Sequence, residues 1–132
     1  MITALDTCIL LDILLDDPMH AEASASAVER VAREGVLVVG EVVLAELGPV
    51  LTAHQAKHFL QDSGIEFIPS SIESALLAGT MFAEYKKQGG GREKMVPGFL
   101  LAAHAMTFAD RLLTRDKGFK RGLFARLKTV FP

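Results

Sequence analysis

The strongest constraint on this chain is an alternation. Short apolar or β-branched runs ("ITALD", "VLVV", "IEFI", "RLLT" and "LKTVF") are separated by longer stretches whose apolar residues recur at helical spacing. "TCILLDILL" is expected to be a helix started by Thr7, and "MHAEASASAVERVAREG" an alanine-rich helix stopping at Gly35. "GEVVLAELGPVL" has helical spacing until Gly48-Pro49, and "AHQAKHFLQDSG" is a second amphipathic helix closed by glycine. "SSIESALLAGTMFAEYKKQ" has a capping serine with Glu73 nearby and is expected to run to about Gln88. "GFLLAAHAMTFA" is a last, apolar helix that opens on Pro97-Gly98. Parallel strands need crossover helices, so strands and helices in this order predict an α/β protein with three α/β/α layers around a mostly parallel sheet. A length of 132 residues is that of one domain, spanning 1–132.

In such sheets, sites form beyond the carboxyl ends of the strands. Asp6 follows the first strand directly, Glu41 and Glu46 follow "VLVV", and Asp116 lies two residues after "LLT". Several acids are therefore expected at one end of the sheet.

Composition narrows the class. With 50% hydrophobic and 23% charged residues, the chain is too apolar for disorder. Its first apolar run is broken by Asp6 and Asp12 and has no basic start or small-residue cleavage site, which predicts neither signal peptide nor membrane span and a cytoplasmic location. The single cysteine, Cys8, cannot form an internal disulfide and is expected to be a small buried apolar residue. Net charge is only −2, but it is segregated: residues 1–85 hold thirteen acids against three bases, and residues 86–132 hold three acids against eleven bases. Folded together, such halves suit a cation beside a phosphate backbone, although solvated charges alone would also account for them.

Carboxylates drawn together from distant parts of a chain repel one another unless a cation or a shared proton compensates. Hard divalent ions are their natural partners. Magnesium is commonly held by one or two carboxylates plus phosphates, and such an ion can activate water for displacement at phosphorus. Taken singly, each acid is equally explained as a solvated surface group.

"LDTCILLDIL", "VVLAEL", "FLLAAHA" and "LLTRDKGF", in that order and spacing, resemble the successive motifs of PIN-domain nucleases, in particular the VapC-type toxins of bacterial toxin–antitoxin pairs. The resemblance spans nearly the whole chain. It implies a PIN-like fold and a divalent-metal-dependent endoribonuclease using Mg2+ or Mn2+. It also implies an RNA substrate, a cognate antitoxin and self-association as a homodimer. Asp6, Glu46 and Asp116 match the family's metal-holding acids, with Thr7 and Thr114 as supporting hydroxyls. Arg115, Lys117, Lys120 and Arg121 are the basic residues nearest that site and could steer RNA phosphates, although a solvated terminal face accounts equally well for any one of them. A further family acid opens the penultimate helix in a pattern resembling D-x-L-I-A-A-H-A, and here Gly98 occupies its position. That loss of charge and ligand oxygens implies weakened or absent hydrolysis, and leaves a second reading: a catalytically incompetent module that binds RNA or the antitoxin.

Other signals carry less. His54 and His58 share a helix face but lack the glutamate of H-E-x-x-H and a third zinc ligand. His104 reads as a packed core histidine. "KKQGGGREK" serves equally as a rim touching RNA or as a connector, and does not have the context of a phosphate-binding loop.

Overall fold

The computed structural model of the protein describes residues 1–89, 96–120 and 122–132. Its elements run β1 (Ile2–Leu5), α1 (Thr7–Leu14), α2 (Ala21–Arg33), β2 (Val36–Val39), α3 (Glu41–Leu47), α4 (Ala53–Ser63), β3 (Ile65–Phe67), α5 (Ile72–Lys87), α6 (Val96–Phe108), β4 (Arg111–Leu113) and β5 (Thr129–Val130). Two short 3-10 turns, Lys117–Lys120 and Gly122–Phe124, link the last two strands. The five strands form one sheet in the order β3-β2-β1-β4-β5, and every pairing is parallel. Helices flank both faces, giving the expected α/β/α layers.

The strand order positions the site. From β1 the chain steps outward through β2 to β3, then returns to place β4 on the other side of β1. The reversal sets a topological switch point at the carboxyl ends of β1 and β4, the place where open α/β sheets bind their ligands. Because both faces of the sheet are covered, Ala4 and Leu5, Leu37 to Val39, and Leu112 and Leu113 are all buried, which is why these strands read as continuous apolar runs.

Local chemistry sets most boundaries. Thr52 opens α4 in a reciprocal capping box with Gln55, and Gly64 closes it in the left-handed conformation. Ser71 opens α5, but its reciprocal partner is Ser74, the residue three positions on, and not Glu73. The start of α1 also differs from expectation: Asp6 is the cap, accepting from the Thr7 amide, and Thr7 is the first helical residue. Helix α6 has α5 along its length and reaches β1 and β4. Its Phe99 is fully buried, with ring centroids 5.8 Å from Phe82, 5.5 Å from Tyr85 and 5.1 Å from Phe124. His104 is the buried histidine expected, its Nε2 2.6 Å from the Ile68 carbonyl. A Cβ at Gly40 would come within 2.8 Å of the His104 ring, so the turn from β2 into α3 needs glycine for that close approach.

Candidate active site

Asp6 has two structural duties before any chemical one. It ends β1, where its backbone N–H donates to the Leu113 carbonyl at 3.0 Å, and it caps α1 through Oδ1, 2.7 Å from the Thr7 amide. Its other oxygen, Oδ2, accepts from the Thr114 hydroxyl at 2.6 Å. Thr114 Oγ1 in turn accepts from the Asp116 amide at 2.9 Å. On the other side, the Thr7 hydroxyl donates to Glu46 Oε1 at 2.7 Å. Two threonines therefore link the ends of β1 and β4 to α3, joining residues up to 108 positions apart in the chain. Cys8 borders the same group, with Sγ 3.5 Å from Asp6 Oδ2 and 3.9 Å from Thr114 Oγ1. It is half-buried and hydrogen-bonded, more polar in its surroundings than the apolar residue expected.

The electrostatics of this corner are unfavourable to charge. Burial raises the pKa of Asp6, and the Glu46 carboxylate adds to the rise, while hydrogen bonds from Thr114, Thr7 and Cys8 offset part of it. Burial and the Asp6 charge together push the Cys8 thiol up to about 11, so the sulfur stays protonated at neutral pH. A bound cation would reverse both penalties.

The donors suit a hard cation. Asp6, Glu46 and Asp116 offer only carboxylate oxygens, and Asp6 Oδ1 and Glu46 Oε1 each engage one protein donor, leaving a lone pair on each. Asp116 Oδ1 accepts from the Gly118 amide at 2.8 Å in a tight local turn. A Cβ at Gly118 would lie 3.0 Å from that oxygen. The three acids do not close into a tight cluster. Among the described residues, the one group of three whose ligand atoms all lie within 4.8 Å is Asp12, Asp17 and His20. That group is not a good cation cradle, because Asp12 already accepts from Arg115 at 2.7 and 2.9 Å and from Ser24 at 2.6 Å. A hydrated Mg2+ does not need a tight trio, since it keeps several waters that can bridge to outlying carboxylates.

Gly98 lies in the first turn of α6, the helix that packs on β1 and β4, and that turn contains no acid. A Cβ built there meets nothing within 4 Å. An aspartate side chain would thus have room, and a helix amino terminus favours a negative charge.

The basic residues divide. Arg115 forks onto the buried Asp12 through Nε and Nη2, while 33% of its side chain stays exposed. Lys120 places Nζ 4.1 Å above the Phe131 ring. Lys117 is exposed beside Asp116. Arg121, and residues 90–95 of the glycine-rich stretch, lie outside the described residues. His54 and His58 lie on α4, where His58 pairs with Asp62 at 3.1 Å. Asp12 was the residue hardest to anticipate. Its one sequence signal is a charge inside the apolar "TCILLDILL" helix, six positions after Asp6.

With this geometry in hand, the comparisons are specific about fold. The crystal structure of VapBC2 from Rickettsia felis bound to a DNA fragment from their promoter contains a chain that matches with a TM-score of 0.78 and 24% identity, over 100% of this chain and 99% of that one. The structure of VapBC-1 from nontypeable Haemophilus influenzae matches with a TM-score of 0.72 and 22% identity, over 99% and 98%. A toxin-antitoxin complex from Klebsiella pneumoniae matches with a TM-score of 0.69 and 21% identity, over 97% and 95%. No curated protein matches the sequence. The family model described as PIN domain matches residues 3–122, which include all three acids, both threonines and the position of Gly98. The chain belongs to the PIN domain family.

Proposed function

We propose that this chain is a VapC-type toxin built as a divalent-metal-dependent endoribonuclease, weakened by glycine at position 98. The observation that carries the reading is the pair of threonine links that join Asp6 to Glu46 and to the Asp116 turn at the point where the strand order reverses. When bound, Mg2+ or Mn2+ supplies the neutralising charge and the activated water for in-line displacement at a phosphodiester. Asp6, Glu46 and Asp116 would hold the ion. Thr7 fixes the Glu46 carboxylate and Thr114 fixes that of Asp6, so neither must be reoriented. Lys117 is the exposed cation placed to meet a phosphate. The whole of residues 1–132 acts as one cytoplasmic domain, with RNA as its substrate. A cognate antitoxin is its partner, in keeping with the toxin–antitoxin complexes it resembles, and it pairs with a second copy of itself.

Gly98 favours a second reading, in which the chain binds RNA or an antitoxin without turnover, because the first turn of α6 offers no carboxylate. Replacing Gly98 by Asp and assaying RNA cleavage with Mg2+ or Mn2+ separates the two. Cleavage is expected to appear or rise in Gly98→Asp and to vanish when Asp6→Asn is added. A folded Gly98→Asp protein that stays inactive with either ion would reject glycine as the limiting defect and leave the binding-only reading.

A further inference from the structure

We propose that Arg115 is a positioning residue: by gripping the buried Asp12, it holds the turn after β4 in the one orientation that lets Thr114 reach Asp6 and the Asp116 amide. The inference rests on the cation-site reading above for its consequence, but its geometry stands apart from it.

Helix α1 begins beside Asp6 and carries Asp12 in its second turn. Arg115 lies between Thr114 and Asp116, the two residues that close the site from the β4 side. Its Nε donates to Asp12 Oδ2 at 2.7 Å and its Nη2 to Asp12 Oδ1 at 2.9 Å, a two-point fork that fixes direction as well as distance. Ser24 of α2 donates to Asp12 Oδ2 at 2.6 Å and braces the carboxylate from behind. The turn after β4 is therefore fastened to α1 at two places, Thr114 to Asp6 and Arg115 to Asp12. The backbone bonds from Asp6 to Leu113 and from Thr114 to Val130 hold β4 itself, and the Arg115 fork adds a side-chain attachment just beyond the strand's end.

The charges support a permanent clamp. Burial opposes ionisation of Asp12, but the Arg115 and Ser24 hydrogen bonds and the Arg115 charge outweigh it, holding the carboxyl below its ordinary value. Asp17 and His20 stand nearby and pair with each other at 3.2 Å. An ion pair inside an apolar helix face is poor value for stability alone, since a packed hydrophobic pair of similar volume does as well or better. What the pair supplies beyond stability is orientation, through the two-point fork.

The test uses the whole chain and two measurements. The first is Mn2+ affinity by electron paramagnetic resonance. The second needs no metal: the rate of iodoacetamide alkylation of Cys8, the only cysteine, whose sulfur borders both Asp6 and Thr114. The double variant Asp12→Asn with Arg115→Gln removes both charges together, so no orphaned buried carboxylate threatens folding. It is expected to weaken Mn2+ binding about tenfold, as loss of an outer partner of a metal ligand does. It should also raise the Cys8 alkylation rate severalfold in the folded protein. Arg115→Lys, which keeps the charge but not the fork, should fall between. Thr114→Val should have the same effects, and adding the Asp12 and Arg115 changes to it should do little more, because Arg115 acts on the site through the Thr114–Asp6 contact. If the double variant lowers the melting temperature but leaves Mn2+ affinity and thiol rate unchanged, the pair is merely structural. Additive effects with Thr114→Val would equally overturn the proposal. If the unaltered chain binds no Mn2+, the cation reading fails, and the thiol rates alone decide the role of Arg115.

Discussion

Two neighbouring regions of this molecule are held together in opposite ways. Beneath the start of α6, Phe99 joins Phe82, Tyr85, Phe119 and Phe124 in an aromatic cluster made of shape and buried area. At the ends of β1 and β4, Asp6, Thr7, Glu46, Thr114, Asp12 and Arg115 are held by directed hydrogen bonds and by charges that partly oppose one another. The aromatic region stabilises the fold without caring about pH or ions. The polar region responds to both, since burial and the Glu46 carboxylate raise the pKa of Asp6. Gly98 directly precedes Phe99, so the start of α6 is anchored by an aromatic side chain and needs no polar group at position 98.

The largest effect should come from the aromatic side. Phe99→Ala is expected to destabilise the protein by about 3–5 kcal/mol, read by urea unfolding. A small loss there would mean that the helix start is held by polar contacts instead. Next is Asp12→Asn, with an expected loss of about 2 kcal/mol at neutral pH, below the range for fully buried pairs because 33% of the Arg115 side chain is exposed. The sign of its pH dependence follows from the depressed carboxyl. The stabilisation is complete above the ordinary value of 3.8 and is lost as pH falls through the lower folded value. The unaltered protein should therefore lose stability more steeply below about pH 4 than Asp12→Asn, and the two unfolding curves should converge. Parallel curves would show that Asp12 titrates alike in both states. Smallest is Gly98→Asp, expected to change stability by less than about 0.5 kcal/mol, since the new side chain enters open space at a surface-accessible helix start. A larger change would show that the position is crowded.

The layered fold could be read from the sequence because each of its signals is local. "VLVV" and "IEFI" become strands at their own positions, and Gly64 ends α4 where a left-handed residue is needed. Errors arose where two residues compete for one role within a step of each other. Asp6 and Thr7 are both good caps, and the strand's end point decides for Asp6; likewise, Ser74 stands at the reciprocal position of the α5 cap that Glu73 misses by one. Asp6 and Asp116 stand out by their places after strands, whereas only the resemblance of "VVLAEL" to a family motif favours Glu46 over Glu41. The partner of Arg115 was not, because the pairing of positions 12 and 115 exists only once β4 is inserted beside β1. Beside Asp116, in a chain whose basic residues concentrate at that end, an arginine reads naturally as a substrate contact, and only the fold shows that it also grips Asp12.

The order β3-β2-β1-β4-β5 has a consequence for the protein's birth on the ribosome. The first three strands can associate as soon as they emerge, but Thr114 and Asp116 follow β4, which must find a strand made more than a hundred residues earlier. A stalled or prematurely terminated polypeptide that ends before position 111 would carry Asp6 and Glu46 without the element that completes their surroundings. Vectorial synthesis thus delays assembly of this corner until β4 has been made.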